Sequence, residues 1–353
     1  MGAATGVDAA DAGPSDAHVP DPQRMSIFVL CPADAVTGGP ELLHQLVDLL
    51  RSRGRDAKIV YYPFGTDHRT PAAYAQYDLA IGTIDEVTPR SIFVVPEIYA
   101  WLLRKLPKSR IFFWWLSVDN FLASATANRL RHFIPKRLLW HLGIVRVRRF
   151  AAAHLYQSEY ARLFLARHRL SPSYPLSDYL SAQIVEAATK GVTGEREDLV
   201  VYNPLKGAAQ TTRIADCLAT QAPTSLRMVP IRGLTRQEVV DTLSKARLYI
   251  DFGHHPGKDR LPREAAALGC CVLTNRQGSA ANDVDVPIPL GYKIDDTKPG
   301  FAPLAAEKIV EICVNFDRHA PDFDAYRRTI AAEPGIFAEQ AESLITEMDA
   351  ASS

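Results

Sequence analysis

The strongest constraint on the fold comes from residues 248–273, which read LYIDFGHHPGKDRLPREAAALGCCVL. The stretch opens with an apolar run and closes with another at 270–273, and both are typical of buried strands. Between them lie a polar loop and a short alanine-rich segment, which has Pro262 near its start and Gly269 at its end, as short helices do. This order of strand, loop, helix and strand predicts a parallel α/β unit.

Cationic side chains gather where the first of these strands ends and the helix begins. Lys258, Arg260 and Arg263 flank a helix N-terminus, where free N–H groups attract anions. Ligands of open α/β sheets bind at the carboxyl edge of the strands. The alternative is a merely solvated loop, but such loops seldom pack glycine, histidine and arginine so tightly between apolar strands. The loop is therefore predicted to bind phosphate.

The same alternation of strands and helices runs through the rest of the chain. A length of 353 residues favours two domains over one. The pattern predicts an α/β fold with two Rossmann-like domains, each a parallel sheet covered on both faces. Strands are expected at 26–32, 57–62, 77–81, 92–95, 111–116 and 152–157 in the first half, and a new unit begins with a strand at 199–202.

The expected domain boundaries follow shifts in composition. Residues 1–24 are rich in Ala, Asp, Gly and Pro and read as a disordered tail without a secretory signal. The N-terminal domain is placed at 25–190 and the C-terminal domain at 191–320. A helical segment at 321–353 can pack back on the N-terminal domain, with Pro334 expected to interrupt its helix.

Composition limits the choice of partners and compartment. The chain has 40 Lys plus Arg and 40 Asp plus Glu, and no known nucleic-acid module, so nucleic acid is not an expected partner. Its five cysteines have no CxxC pair or metal-site spacing, which favours a reducing, cytoplasmic setting. No apolar run reaches the ~20 residues that a membrane span needs.

Two loops in the first half lie at predicted strand ends. Gly38 and Gly39 precede a helix, and would let backbone N–H groups reach a phosphate or a sugar. A plain tight turn explains them equally well. Asp119 follows the strand at 111–116 and so lies at the ligand edge of the sheet. Asp119 and Asn120 are also favoured helix N-caps, and the two roles can coincide.

Residues 128–150 form a basic amphipathic segment. It carries seven Lys or Arg, two His and no acid, with aromatic and aliphatic residues between them. This composition indicates peripheral contact with an anionic membrane surface. The alternative is a cationic rim that attracts a phosphorylated acceptor. Pro135 and Gly143 are expected to break the segment, so that it is not one helix.

With these motifs in place, the second half resembles the retaining GT-B glycosyltransferases related to family 4. The resemblance covers about residues 199–290, and the string DFGHHPGKDRLPREAA is similar to uncharacterised transferases of bacterial surface-polysaccharide clusters. The first half resembles them more loosely, in TGGPELLHQL and WWLSVDNF. The motifs that carry the match are Lys206-Gly207, Arg232-Gly233, Phe252-Gly253 and Glu264-Ala265 ending at Gly269.

The resemblance implies roles for particular residues. Lys206 and Arg232 would hold the donor diphosphate, and Glu264 would grip the ribose hydroxyls. Gly38 and Gly39 would face the donor from the other domain, and Lys258 and Arg263 join the donor-binding set as cations of the loop. The family's first glutamate, eight residues before Glu264, is Pro256 here. His255 or Asp259 can take its place, and His255 is the expected catalytic residue.

The function that the resemblance implies is sugar transfer from a nucleotide-sugar donor to a surface-polysaccharide or lipid-linked glycan acceptor. The enzyme would be cytoplasmic or peripheral to the inner face of the plasma membrane, and would need no metal or other cofactor. Cationic groups would stabilise the charge that builds on the leaving diphosphate. Asp119 is the expected general base if configuration inverts, and orients the acceptor if it is retained.

Other interpretations remain open at this point. Asp283-Val284-Asp285 is a DxD sequence, which binds a metal in GT-A transferases. A GT-B-fold sugar-nucleotide epimerase would also use histidine and carboxylates around a nucleotide sugar. A non-catalytic, degenerate transferase acting as an assembly partner is the third possibility.

Overall fold

The computed structural model describes residues 25–126, 135–191, 195–221, 223 and 225–350. These residues form two parallel sheets with helices packed around them, which confirms the predicted α/β class. The first sheet contains β1 (Ile27–Pro32), β2 (Ala57–Tyr62), β3 (Ile92–Pro96), β4 (Arg110–Trp115), β5 (Ala151–Tyr156) and β6 (Ser173–Pro175). The second contains β7 (Glu197–Tyr202), β8 (Arg227–Pro230), β9 (Ala246–Asp251), β10 (Cys271–Asn275) and β11 (Lys293–Ile294).

The strand orders place a ligand crevice in each domain. The first sheet runs β2-β1-β3-β4-β5-β6 and the second β11-β10-β9-β7-β8. The order reverses between β1 and β3, and again between β7 and β9, and parallel sheets bind ligands at such switch points. The helices of the described residues are α1 (Gly38–Ser52), α2 (Val118–Thr126), α3 (Lys136–Phe150), α4 (Glu159–His168), α5 (Ala182–Lys190), α6 (Ala208–Gln221), α7 (Arg236–Lys245), α8 (Arg260–Ala267), α9 (Phe301–Val314), α10 (Phe316–His319) and α11 (Asp324–Ala350).

Both faces of the first sheet are buried. Along β1, Ile27, Val29 and Cys31 belong to one apolar cluster, whereas Phe28 and Leu30 belong to another on the opposite face. A strand buried on both faces reads as a continuous apolar run rather than an alternating one. This burial explains why the strands of the first sheet could be predicted from continuous apolar runs in the sequence.

The prediction of a strand at 77–81 is wrong, because the structure has no strand in this described range. Within residues 77–81, only Ile81 forms a β-bridge, an isolated parallel one to Ile59 of β2. The backbone N–H of Asp78 donates instead to the carboxylate of Asp48 on α1, at 2.7 Å. The segment is therefore anchored to a helix and continues no further along the edge of β2.

Two expected helix breaks are also wrong. Helix α3 passes through Gly143, which is buried against the ring of Phe121, although residues 128–134 of this basic segment lie outside the described part. Helix α11 continues through Pro334. Its Tyr326 and Ile330 pack into the second domain's core, and its Phe337 and Leu344 into the first domain's core. Packing at both ends outweighs the hydrogen bond that proline removes.

Elements near the expected boundaries join the two domains. Ile184 on α5 belongs to the apolar core of the second domain, although its segment precedes β7. Helix α11 lies across both cores, so the C-terminal segment contacts the first domain through its second half.

Candidate functional site

A cavity of about 560 Å³ lies between the two domains, at the carboxyl edges of both sheets. The first domain contributes loops that follow β1, β3, β4, β5 and β6, and the second contributes loops that follow β7 and β9. The polar and glycine residues that line it include Gly38, Gly39, Glu97, Ser117, Asn120, Asp178, Asn203, Lys206, Asp251, Lys258, Asp259 and Arg260.

The N-terminus of α1 faces this cavity. Gly38 and Gly39 are the first residues of this 15-residue helix, and its N-cap Thr37 makes no side-chain cap. The first N–H groups of a helix have no partner within the helix, and they favour anions. A Cβ at Gly38 would lie 2.9 Å from Arg260 Cδ, so glycine here leaves room for the side chain of this arginine from the other domain. The two glycines therefore line the cavity at the start of α1, and their predicted contact with a donor stays a prediction.

Lys206 faces the cavity from the other domain. Its Nζ lies 2.7 Å from Asp259 Oδ2 and 3.2 Å from Asp251 Oδ2. Burial alone would lower the pKa of Lys206, but the two carboxylates raise it above the ordinary value, so the side chain stays charged. An ammonium has three N–H donors, and two suffice for these carboxylates. The third can serve a ligand in the cavity.

His255 lies behind this group and does not line the cavity. Its ring is fully buried, with Nδ1 2.8 Å from Asp259 Oδ2 and Nε2 3.4 Å from the carbonyl oxygen of Asp251. The structure thus corrects its expected catalytic position, because the ring cannot reach a substrate through Asp259. Burial would raise the pKa of Asp259, but the hydrogen bond from His255 and the charge of Lys206 lower it, so Asp259 is held as a carboxylate.

Asp251, His255 and Asp259 also have the composition of a metal site. Their ligand atoms lie within 4.8 Å of one another. The ammonium of Lys206 contacts the same two carboxylates, at 3.2 and 2.7 Å. A metal ion bound there would have to displace that cation or repel it at close range.

Lys258 lines the cavity, whereas Arg263 does not. Lys258 Nζ lies 2.9 Å from Glu333 Oε1 and 3.6 Å from Asp178 Oδ1. Arg263 is fully buried and donates to Asp178 Oδ2 at 2.6 Å and Glu333 Oε2 at 2.7 Å. These acids come from the residues before α5 and from α11. Arg263 therefore ties three segments together instead of binding a ligand, and its predicted donor-binding position is wrong.

Glu264 lines a second cavity, of about 540 Å³, which shares Thr37, Gly38, Arg260 and Leu261 with the first. The Glu264 side chain is 1% exposed, and its Oε1 lies 3.0 Å from a guanidinium nitrogen of Arg236. Within the described part of the chain, neither of its carboxylate oxygens has a hydrogen-bond partner. Buried polar groups are nearly always satisfied, so this carboxylate is suited to bind hydroxyl groups of a ligand.

An ion pair separates the two cavities. Arg260, the first residue of α8, pairs with Glu41 of α1 across the domain interface. Tyr77 donates a hydrogen bond to the same Glu41 at 3.1 Å. One short helix therefore points Arg260 at the first cavity, Arg263 into the core and Glu264 at the second cavity.

Arg232 and Asp119 lie outside both cavities. Arg232 is exposed on the loop after β8, so Lys206, Arg232 and Glu264 do not converge on one cavity as predicted. Asp119 Oδ2 lies 2.8 Å from His254 Nε2, and its Oδ1 accepts from the Tyr160 hydroxyl at 3.2 Å. Its carboxylate is occupied by the second domain and by α4, which corrects its expected place at the acceptor.

Two neighbours of Asp119 occupy the places that were expected for it, the cap of α2 and the edge of the cavity. Ser117 caps α2, since its Oγ accepts from the backbone N–H of Asn120 at 3.1 Å. Asn120 lines the cavity. The sequence therefore indicated this loop, but not which of its side chains line the cavity.

The DxD carboxylates are engaged with different partners. Asp283 is 83% exposed and lies 2.8 Å from Lys293 Nζ. Asp285 is buried and accepts from the backbone N–H groups of Glu159 and Tyr160. The two carboxylates do not form a common metal site.

Glu97 is a cavity residue that the sequence reading did not select. It follows β3 directly, is 2% exposed, and accepts the Leu116 N–H at 3.2 Å through Oε2. Burial raises its pKa to about 8, even though backbone N–H groups favour the carboxylate. A signal was present in the sequence, because a glutamate directly after the apolar run IFVVP lies at the carboxyl edge of the sheet.

Helix α3 displays an apolar stripe among basic residues. Leu138, Leu142 and Val145 are 49%, 48% and 42% exposed, at the spacing of one helix face. Arg137, His141, Arg148 and Arg149 are exposed on the same helix. Throughout the described ranges, no helix combines the length and the apolar character needed to cross a bilayer.

The sequence matches no protein-family model and no curated protein. The structure is similar to that of sucrose-phosphate synthase from Thermosynechococcus elongatus, with a TM-score of 0.64 and 12% identity over 93% of this chain and 100% of that one. It is similar to HepE from Anabaena in complex with UDP, with a TM-score of 0.60 and 12% identity over 91% of this chain and 100% of that one.

A further similar structure is WaaG, a glycosyltransferase involved in lipopolysaccharide biosynthesis. Its TM-score is 0.57 at 12% identity, over 89% of this chain and 99% of that one. These likenesses extend over both domains and nearly the whole length of each comparison protein. They confirm the GT-B fold, with two Rossmann-like domains facing a central cleft.

Proposed function

We propose that this protein is a glycosyltransferase that moves a sugar from a nucleotide-sugar donor to a glycan acceptor. The observation that carries the proposal is the N-terminus of α1 facing Lys206 across one cavity of about 560 Å³. Cleavage of a sugar–diphosphate bond builds negative charge on the leaving group. A helix N-terminus and an ammonium, both positioned in advance, stabilise such charge without reorganising.

The donor would span both cavities. Its diphosphate would accept from the N–H groups of Gly38 and Gly39 and from Lys206. Its ribose hydroxyls would donate to the carboxylate of Glu264 in the second cavity, which forms an ion pair with Arg236 but has no hydrogen-bond partner among the described residues. The presence of UDP in the HepE structure supports the binding of a nucleotide by this fold. Arg260 lies where the two parts of the donor would meet.

We propose that the transfer needs no metal ion. The cluster of Asp251, His255 and Asp259 already holds a cation, the ammonium of Lys206. Asp283 and Asp285 are bound to other parts of the protein. Lys206 and the α1 N-terminus would therefore supply the positive charge that a metal supplies elsewhere.

The acceptor is proposed to be a surface-polysaccharide or lipid-linked glycan. Support comes from α3, whose stripe of Leu138, Leu142 and Val145 among basic residues fits an anionic membrane surface. WaaG, one of the similar structures, acts in lipopolysaccharide biosynthesis. The protein would work in the cytoplasm, against the inner face of the plasma membrane.

A panel of nucleotide sugars tests the donor assignment by thermal shift. At 100 times the dissociation constant, a bound donor adds about 2.7 kcal/mol to the free energy of unfolding. Glu264→Gln should weaken the response through the lost carboxylate, whereas Glu339→Gln, an exposed change on α11, should leave it intact. No response to any nucleotide sugar would contradict the proposal.

Product analysis separates the competing functions. Transfer to a glycan supports the glycosyltransferase, whereas conversion of the free nucleotide sugar to its epimer without an acceptor supports the epimerase. Unchanged polymer production in cells that carry Lys206→Ala would favour an assembly partner without catalysis.

Sedimentation with anionic vesicles tests the membrane contact. Leu138→Ser with Leu142→Ser should reduce binding, and added salt should weaken the binding of the unaltered protein. Leu163→Ser is a matched control, since Leu163 on α4 is 49% exposed but lies outside the basic helix. Equal binding by all three proteins would contradict a role for α3.

A further inference from the structure

The ion pair between Arg260 and Glu41 lies in the path of the proposed donor. Arg260 lines both the 560 Å³ and the 540 Å³ cavity, and Glu41 lines the second. The two side chains are only 13% and 12% exposed, and they meet across the domain interface. A donor with its diphosphate in the first cavity and its ribose in the second has to pass the place where this pair lies.

The guanidinium of Arg260 has donors to spare. Its Nη1 pairs with Glu41 Oε2, and its Nε lies 3.8 Å from Asp178 Oδ2, beyond hydrogen-bond distance. Its Nη2 is buried and has no hydrogen-bond partner in the part of the chain that the structure describes. A guanidinium has five N–H donors, and buried donors left unpaired cost free energy. Arg260 is therefore suited to bind an additional anion.

The guanidinium also adjoins the N-terminus of α1. A Cβ at Gly38, the first residue of this helix, would lie 3.0 Å from Arg260 Nε. An anion that accepts from the free N–H groups of the helix is therefore close enough to contact the arginine as well. A phosphate placed there would receive hydrogen bonds from both domains.

Glu41 is an anion that the chain itself supplies to these donors. It lies in the first turn of α1, where a carboxylate interacts favourably with the helix dipole. One of its oxygens contacts Arg260, and the other accepts from the Tyr77 hydroxyl at 3.1 Å. The carboxylate would keep the Tyr77 bond if Arg260 turned to another partner. A diphosphate carries more charge than a carboxylate and accepts arginine in a bidentate geometry, so it is the stronger partner.

We infer that Arg260 is a donor-binding residue for which Glu41 competes. The inference rests on the proposed glycosyltransferase function. When a nucleotide sugar enters, the guanidinium exchanges the Glu41 carboxylate for a phosphate oxygen of the donor, and no covalent bond forms or breaks. The exchange opens the pair that separates the two cavities, so that the donor can extend through both. The Glu41 carboxylate thereby lowers the affinity for the donor.

Two single variants distinguish this competition from a contact that only ties the domains together. Isothermal titration uses a nucleotide sugar that the unaltered protein binds, from a panel that includes UDP-glucose. Arg260→Gln should weaken binding on the order of 10-fold, the effect of losing a hydrogen bond to a charged group. Glu41→Gln should strengthen binding about 5-fold, because the competing carboxylate is gone. A mere tie between the domains predicts weaker binding in both variants.

A matched control addresses the change in net charge. Glu342→Gln also removes a carboxylate from an ion pair of α1, since Glu342 on α11 lies 2.7 Å from Arg53, but this pair is exposed and lies away from both cavities. The affinity of Glu342→Gln should stay within about twofold of that of the unaltered protein, as for independent sites.

The double variant shows whether the gain depends on Arg260. In the Arg260→Gln background, Glu41→Gln should strengthen binding by less than it does in the unaltered protein. Weaker or unchanged binding by Glu41→Gln, unchanged binding by Arg260→Gln, or an equal gain in both backgrounds would each overturn the inference and leave the glycosyltransferase assignment standing. Binding of no nucleotide sugar by the unaltered protein would overturn both.

Discussion

The Asp285 carboxylate of the second domain accepts a hydrogen bond from the backbone N–H of Glu159, the first residue of α4 in the first domain, at 2.7 Å. Its other oxygen accepts from the N–H of Tyr160 at 2.9 Å. A carboxylate at a helix N-terminus satisfies free N–H groups and interacts favourably with the helix dipole. One domain thus caps a helix of the other beside the cleft.

Removing this cap should loosen the domain interface. Asp285→Ala should lower the free energy of unfolding by about 0.5–2 kcal/mol, the usual cost of a lost N-cap. Urea titration measures the change, with Glu339→Gln as an exposed control on α11. Equal midpoints for the two variants would show that the contact contributes nothing to stability.

Gly257 allows a second close approach of the domains. A Cβ at this position would collide with the carbonyl oxygen of Leu116 at the end of β4. Gly257→Ala should therefore hold the domains apart and weaken donor binding, which isothermal titration measures. Gly291→Ala is the matched control, since a Cβ there meets no atom within 4 Å. Unchanged affinity in Gly257→Ala would show that the cleft does not need this contact.

The fold could be predicted from sequence because both faces of the first sheet are covered. Strands such as β1 and β4 are continuous apolar runs, and their bounds agree with the predicted ones within one residue. Parallel strands then bring their following loops to one edge, which placed Gly38, Gly39, Lys206 and Lys258 around one cavity. Periodicity and topology were sufficient for that much.

The partners of each charge could not be predicted in the same way. Arg263 was expected to bind a ligand because it stands beside Lys258, but its partners, Asp178 and Glu333, lie 85 and 70 residues away in sequence. Asp119 is likewise occupied by His254, from the other domain. Whether a loop charge faces a ligand or a neighbour depends on tertiary contacts that local sequence does not contain.

His154 should make the protein sensitive to acid. Burial, and then the charge of Arg148, lowers the pKa of His154 to about 4 from 6.5. Between these values the unfolded chain binds more protons than the folded one, so stability is lost as pH falls from 6.5 toward 4. At about 1.4 kcal/mol per pKa unit, the loss is on the order of 3 kcal/mol.

Urea titrations across this pH range measure the effect. The Trp115 indole N–H donates to His154 Nδ1 at 3.3 Å, and His154→Gln keeps an acceptor without the titration. In His154→Gln the free energy of unfolding should fall less between pH 6.5 and 4 than in the unaltered protein. In His141→Gln, an exposed change on α3, it should fall by the same amount as in the unaltered protein. The same acid loss in His154→Gln would assign the sensitivity to other groups.

Lys206 should be more important to catalysis than any added metal. Chelation with EDTA should leave the rate of transfer within about twofold, because the ammonium already lies between Asp251 and Asp259. Lys206→Ala should lower kcat/KM on the order of 100-fold, the effect of losing one contact to the developing charge. Lys245→Ala, an exposed lysine on α7, is the matched control.

Lys206→Ala also tests whether the Lys206 ammonium keeps metal ions away from the carboxylates of Asp251 and Asp259. Without the ammonium, Asp251, His255 and Asp259 form an unneutralised cluster with three potential metal ligands. Lys206→Ala should therefore bind Mn²⁺ more tightly than the unaltered protein in a calorimetric titration, because the repulsion by the resident cation is gone. If the unaltered protein instead lost its activity in EDTA and regained it with Mn²⁺, a metal and not Lys206 would be the cation that faces the leaving group.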